Sequence, residues 1–245
     1  MMIQTLCVCY PAHAVFPATS SQANHMSTFI YTPPMEPFLD ILYEDDDIIV
    51  MNKPSGLLSV PGKAAEHYDS IAWRVRQSCP EAGSVHRLDM STSGVILMAK
   101  YSKATGILGK QFQERKTEKF YYAWVWGQVT GTSGTIDLPL CVDWENRPLQ
   151  HVDFVNGRKA VTDWKTLRVE ADRSLMKLTP HTGRSHQLRV HMKELGHPIL
   201  GDHLYAPEEA RDIVPHLQLH AAMLSFYHPV TGEKMRFEAP APFAL

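Results

Sequence analysis

Apolar and polar residues alternate from Leu39 to Tyr43, and an apolar run, Ile48-Ile49-Val50-Met51, follows an Asp-rich stretch. The pattern predicts a hairpin. Asn52-Lys53-Pro54-Ser55-Gly56 is turn chemistry. Asp69 or Ser70 is placed to cap a helix that carries Ile71 and Val75 and ends at Cys79-Pro80. Val95–Met98 reads as a short buried strand. Beyond it Ala104, Ile107, Leu108 and Phe112 fall at helical spacing, with Lys103, Lys110, Arg115 and Lys116 on the other sides. Strands are expected at 121–126, 161–169, 174–178, 219–226 and 234–237. Ser185 is expected to cap a helix bearing Leu188, Met192 and Leu195, which Gly196 ends and Pro198 follows. Many strands joined by connections too brief for parallel crossovers imply an α+β domain on a mixed, mostly antiparallel sheet with flanking helices.

A chain of 245 residues is long enough to bury a sizeable core without disulfide or metal staples. Its four cysteines, at 7, 9, 79 and 141, form neither a disulfide framework nor a zinc pattern, which suits a reducing cytoplasm. No apolar run approaches the roughly 18 residues of a membrane span. The first 25 residues lack Lys and Arg and are broken by prolines, unlike a signal peptide. Residues 1–35 are expected to be a disordered N-terminal extension, and residues 36–245 a single domain.

Net charge is −2, but residues 1–52 hold six acidic side chains and no Lys or Arg, so the remainder carries 24 Lys and Arg against 20 acidic residues. Nine basic and four acidic residues lie between Trp73 and Lys119. A local positive field of this kind can serve a polyanion, although an unevenly charged solvated surface gives the same count.

Two segments carry candidate chemistry. In the first, Asp89 stands on a small-residue turn after His86-Arg87-Leu88. An acidic residue on a turn is more often a local cap than a catalyst. The nearby Arg87 and His86, and the close approach that Gly94 permits, set this one apart. The second, Thr179 to Met192, contains Arg184 and Arg189, five residues apart and so on different helix faces. The histidines at 181, 186, 191, 197 and 203 are spaced by five or six, which matches no zinc motif. The chain has no G-x-S-x-G elbow, phosphate-binding P-loop or G-x-G-x-x-G fingerprint.

His86-Arg87-Leu88-Asp89 with Thr92-Ser93-Gly94 resembles the catalytic motif of RluA-type pseudouridine synthases. Asn52–Leu58, Lys119-Phe120-Tyr121, Thr182–Arg189, Gly196–Asp202 and Leu219-His220-Ala221 are similar to further motifs of that family, in the same order. The resemblance implies the pseudouridine synthase fold and an isomerase needing no metal or other cofactor. It implies Asp89 as the essential carboxylate, nucleophile at the sugar or base at C2′. Arg189 is its implied partner, in a charge-assisted and even bidentate pair, and Tyr121 stacks on the uracil. Arg87 is expected to enter the RNA and support the flipped-out loop. Lys53, Arg184 and the basic helix face are expected to contact phosphates. Segments 141–148 and 205–211 are similar to those of family members that act on both 23S rRNA and tRNA. These RNAs are therefore the expected partners, at uridines conventionally numbered 746 and 32. A cytoplasmic monomer with no obligatory protein partner is expected. A non-catalytic RNA chaperone on the same fold would need only basic and aromatic surface, and would have no use for Asp89, Tyr121 and Arg189 together.

Overall fold

The computed structural model describes residues 30–243. The predicted hairpin is β1 (Ile41–Glu44) and β2 (Ile48–Lys53), paired antiparallel. Asp45 shapes its turn, its Oδ1 accepting the N–H groups of Asp47 and Ile48 at 2.8 Å each. Helix α1 (Ile71–Arg76) is capped by Ser70, whose hydroxyl accepts from Trp73 N–H. Two-residue β3 (Gly83–Ser84) leads to β4 (Ser93–Ala99) and then α2 (Ser102–Gln113). Next come β5 (Glu118–Trp126), β6 (Ser133–Asp137) and a small separate hairpin of β7 (Leu140–Val142) and β8 (Gln150–Val152). The chain continues through β9 (Val161–Val169), β10 (Arg173–Pro180), α3 (Gln187–Glu194) and α4 (Glu208–Arg211). It closes with β11 (Leu219–Tyr227) and β12 (Lys234–Glu238).

The large sheet runs β1-β2-β4-β11-β5-β10-β9-β6, with β12 also on β11 and β3 on β4. Every pairing is antiparallel except β4 with β11. That crossing depends on Gly94, at φ 111°, where a Cβ would stand 2.2 Å from the Ala221 carbonyl oxygen. Strands β2 and β4 are apolar on both sides because both sides are covered. Ile49, Met51, Ile96 and Met98 pack with α1 through Ile71 and Val75. Ile48, Val50, Val95 and Leu97 pack with α2 through Ala104 and Leu108. In the other half of the sheet Leu188 and Met192 of α3 lie on Ala123, Val125, Met176 and Leu178. Tyr121 packs against both the α1 and the α3 clusters, at the seam between the halves.

Residues 31–35 belong to the same compact unit as residues 36–245, and two local expectations are corrected. Tyr31 donates to Asp69 O and accepts from Leu58 N–H, while buried Arg74 needs acceptors and finds Pro34 O and Phe38 O at 2.8 and 2.9 Å. The rest of the expected extension, residues 1–29, lies outside the described residues. Ser185 does not cap α3; the N-cap is His186, without a side-chain cap bond. On α2 the buried partner is Gln111 rather than Ile107, because its amide bonds both Tyr227 N–H and Tyr227 O across to β11.

Candidate active site

Asp89 sits in an extended segment just before the turn into β4, its side chain 27% exposed. Its flanks are held through backbone atoms. Ser59 Oγ donates to Leu88 O at 2.7 Å and accepts from Leu88 N–H at 3.0 Å. Met90 O receives Gly56 N–H and Lys53 Nζ, both at 2.9 Å, and Ser55 Oγ donates to Ser91 O. The Asn52–Leu58 motif is thus the clamp that sets the position of Asp89. His86 anchors the start of the segment: its Nε2 accepts Leu97 N–H and its ring stacks on Phe112. Burial and the charge of Lys119 push His86 down to about 3, so it is a neutral acceptor.

Lys53 contradicts the phosphate expectation. It is fully buried, and its three ammonium hydrogens go to the carbonyls of Pro54, Leu57 and Met90. A lysine with every donor spent inside the fold has nothing to offer an RNA backbone. Burial lowers its pKa to about 7, with Asp89 opposing.

Arg189, one hundred residues further on, projects from α3 to place Nη1 3.4 Å from Asp89 Oδ2. The bidentate pair expected there is made elsewhere. Arg189 Nε and Nη2 donate to Asp202 Oδ2 and Oδ1 at 2.8 and 2.6 Å. Asp202 is buried and also accepts the N–H groups of Leu204 and Tyr205. Burial alone would lower the pKa of Arg189, but its bonds to Asp202 and the charges of Asp202 and Asp89 raise it above the ordinary value. The guanidinium thus stays charged and aimed by a carboxylate that never faces the cleft, and of its remaining N–H groups one on Nη1 turns to Asp89. Sequence reasoning missed Asp202. The only available signal was its place at the end of the Gly196–Asp202 motif.

On β5 the alternation puts Tyr121 on the face opposite Phe120 and Tyr122, which pack together with Ala222 and Met223. Burial raises the Tyr121 phenol above its ordinary value and the charge of Asp89 adds to the shift, so it remains a protonated hydroxyl. Lys119 shares the face of Tyr121, and burial lowers its pKa.

These side chains border one cleft of about 1190 Å³. Its walls carry eight Lys or Arg side chains and only two carboxylates, Asp89 and Glu118, in a chain whose net charge is −2. Six of the eight have no carboxylate partner among the described residues: Arg87, Arg115, Lys119, Arg158, Lys177 and Arg184. Arg184 donates to Lys159 O, and burial together with the charges of Arg158 and Arg115 lowers its pKa. Arg87 is exposed and reaches Ser185 Oγ at 3.3 Å. The histidines that suggest a metal in sequence do not converge. His181 goes to Asp163, His186 to Tyr205, His191 to Thr162 and His197 to Trp126 O.

Fold and site together define an RNA pseudouridine synthase, and a family model described as RNA pseudouridylate synthase matches residues 47–194, more than half the chain. The chain belongs to that family and is an isomerase. It is 56% identical over 199 residues to the dual-specificity RNA pseudouridine synthase RluA of Vibrio cholerae, covering 81% of each chain. With the protein of the same name from Escherichia coli K12 it shares 54% identity over 214 residues, 87% of this chain and 98% of that one. Among solved structures, human RNA pseudouridylate synthase domain containing 1 superposes with a TM-score of 0.71 at 30% identity, covering 84% of each chain. Human RNA pseudouridylate synthase domain containing 4 gives 0.66 at 26% identity, covering 83% and 88%. Among the described residues no helix is long and apolar enough to cross a membrane.

Proposed function

We propose that this enzyme isomerises uridine in structured loops of both 23S rRNA and tRNA, with Asp89 as the essential carboxylate, as a cytoplasmic monomer. The observation that carries the reading is the meeting of Asp89 and Arg189 at 3.4 Å in a cleft whose cations are largely unpaired. Action on two RNAs agrees with relatives at 54–56% identity, each named a dual-specificity RNA pseudouridine synthase, and 23S rRNA and tRNA are the pair implied by the resemblance of segments 141–148 and 205–211.

The reaction breaks C1′–N1 of the uridine, turns the base and joins C1′ to C5. The C5 hydrogen leaves as a proton and N1 gains one, so nothing is consumed. Asp89 acts at the sugar, on C1′ or on the C2′ hydrogen. Apart from the 3.4 Å bond from Arg189 to Oδ2, its carboxylate oxygens have no hydrogen-bond donor among the described residues, because its segment is held by the backbone. The target base must leave its stack first, which costs a few kcal/mol and less in a loop than in a duplex. Arg87, exposed at the rim, supports the opened loop, and Arg184 lies among cations suited to flanking phosphates. Tyr121 stacks on the uracil, its hydroxyl available to a proton at C5.

Tritium release from 5-labelled uridine in a tRNA stem-loop and in an rRNA stem-loop tests the proposal. Both should be turned over by the purified protein alone, and Asp89→Asn should lose at least about 10⁴-fold in rate with RNA binding kept. Turnover by Asp89→Asn would remove the carboxylate assignment. Turnover of one RNA alone would remove the dual specificity and leave the chemistry.

A further inference from the structure

His186 enters α3 in the left-handed region, at φ 53°, which non-glycine residues seldom adopt. Among the described residues only Arg115 shares a positive φ without being glycine. The imidazole is nearly covered and lines the cleft, with Nε2 4.0 Å from Asp89 Oδ2. The chemistry described above makes no use of it.

The other ring nitrogen decides where its proton sits. Gln150 N–H donates to Tyr205 Oη at 2.9 Å, and the same oxygen lies 2.7 Å from His186 Nδ1. Tyr205 Oη has no third hydrogen-bond partner among the described residues. A phenol that has accepted one bond still holds a proton to give, and Nδ1 is the available acceptor. In the neutral ring Nε2 then carries the hydrogen. Burial pushes Tyr205 up to about 12, so the phenol keeps that proton. Asp89, Arg189, Asp202 and Arg87 all act on the imidazole. Burial lowers its pKa, Arg189 and Arg87 act the same way, and Asp89 and Asp202 oppose.

We propose that His186 presents a neutral Nε2–H donor to an oxygen of the nucleotide held against Asp89, with Tyr205 as the positioning residue that assigns the ring proton to Nε2. The inference rests on the reading of Asp89 as the site of chemistry. A gap of 4.0 Å is too long for a hydrogen bond to Asp89 itself. It leaves the donor for a uracil oxygen, where negative charge grows as the base takes the C1′–N1 electron pair. An imidazolium in this place would instead pair with Asp89 and quench it.

Long-range proton–nitrogen spectra of the full chain labelled with ¹⁵N-histidine read the tautomer directly. The wild type should show His186 neutral with hydrogen on Nε2, and Tyr205→Phe should shift it toward a mixture. A wild-type Nδ1–H form or an imidazolium overturns the proposal. Two substitutions then separate donor from scaffold. Asn suits the left-handed backbone but is too short, whereas Gln places an amide donor near the position of Nε2 at some backbone strain. At saturating RNA, His186→Gln should keep most of the rate and His186→Asn should lose about 100-fold, the size of one lost transition-state donor. The reverse ranking means a structural role only. The tautomer is read without turnover, so its failure is separable from failure of the Asp89 assignment, which Asp89→Asn addresses.

Discussion

The two walls of the cleft hold their charged groups by opposite means. On one wall the segment of Asp89 is held through its neighbours' backbone atoms, which Ser59, Lys53, Gly56 and Ser55 bind, and among the described residues its own carboxylate takes only the 3.4 Å bond from Arg189. On the other wall Arg189 is positioned through its own charge, by a bidentate bond to buried Asp202. The difference suits the tasks proposed for the two groups. A carboxylate that must attack or take a proton needs free lone pairs, so its supports act on the chain around it. A cation that supplies only field and one N–H can be held by the rest of its fork.

The sharpest break of this contrast is Arg189→Met, which leaves the Asp202 carboxylate buried without a counter-charge. Loss of one partner of such a pair should cost about 3–5 kcal/mol, read by denaturant unfolding, and turnover should fall with it. Next is Lys53→Met, which strands the carbonyls of Pro54 and Leu57 on the Asp89 wall while Met90 O keeps Gly56 N–H. Stability should drop by roughly 2 kcal/mol, given that one unsatisfied buried group costs about 1–3 and removing a buried charge offsets part of the total. The salt dependence of RNA binding should not change, because Lys53 reaches no phosphate.

A third test uses acid. The unfolded histidine ionises near 6.5, whereas burial holds His86 to about 3 and also lowers His191. Between those values the unfolded chain binds more protons than the folded one. Stability therefore falls as pH drops from about 6.5 toward 3 and is restored as pH rises. Melting curves across that range should flatten more for His86→Gln, on the Asp89 wall, than for His191→Gln, behind the other. Smallest is Arg184→Ala, where binding should weaken less than tenfold and the slope of log affinity against log salt should shrink by about 0.7–0.9. An unchanged slope would remove Arg184 from the phosphate contacts.

Much of the fold was legible. Ile48–Met51 and Val95–Met98 had to be covered on both sides, and the turn signals at Asp45, Ser70 and Gly196 mark real boundaries. The short strands β6, β7 and β8 were not legible, since they owe their pairing to neighbours rather than to pattern. In the site, Asp89, Tyr121 and Arg189 were recognisable from motifs and do come together. Asp202, His186 and Tyr205 were not, because each acts through one partner brought close by folding.

The sequence by itself determined the longer strands and helices, the family, and which carboxylate stands just before the turn into β4. Only the tertiary structure decided what each cation does. Lys53 and Arg184 look alike along the chain, yet one ends among three carbonyl oxygens and the other in an open cleft beside Arg158 and Arg115. Arg189 divides itself between Asp202 and Asp89 for the same reason. Propensity is read from adjacent residues, whereas the partner of a charge depends on which distant groups the fold brings within about 3 Å of it.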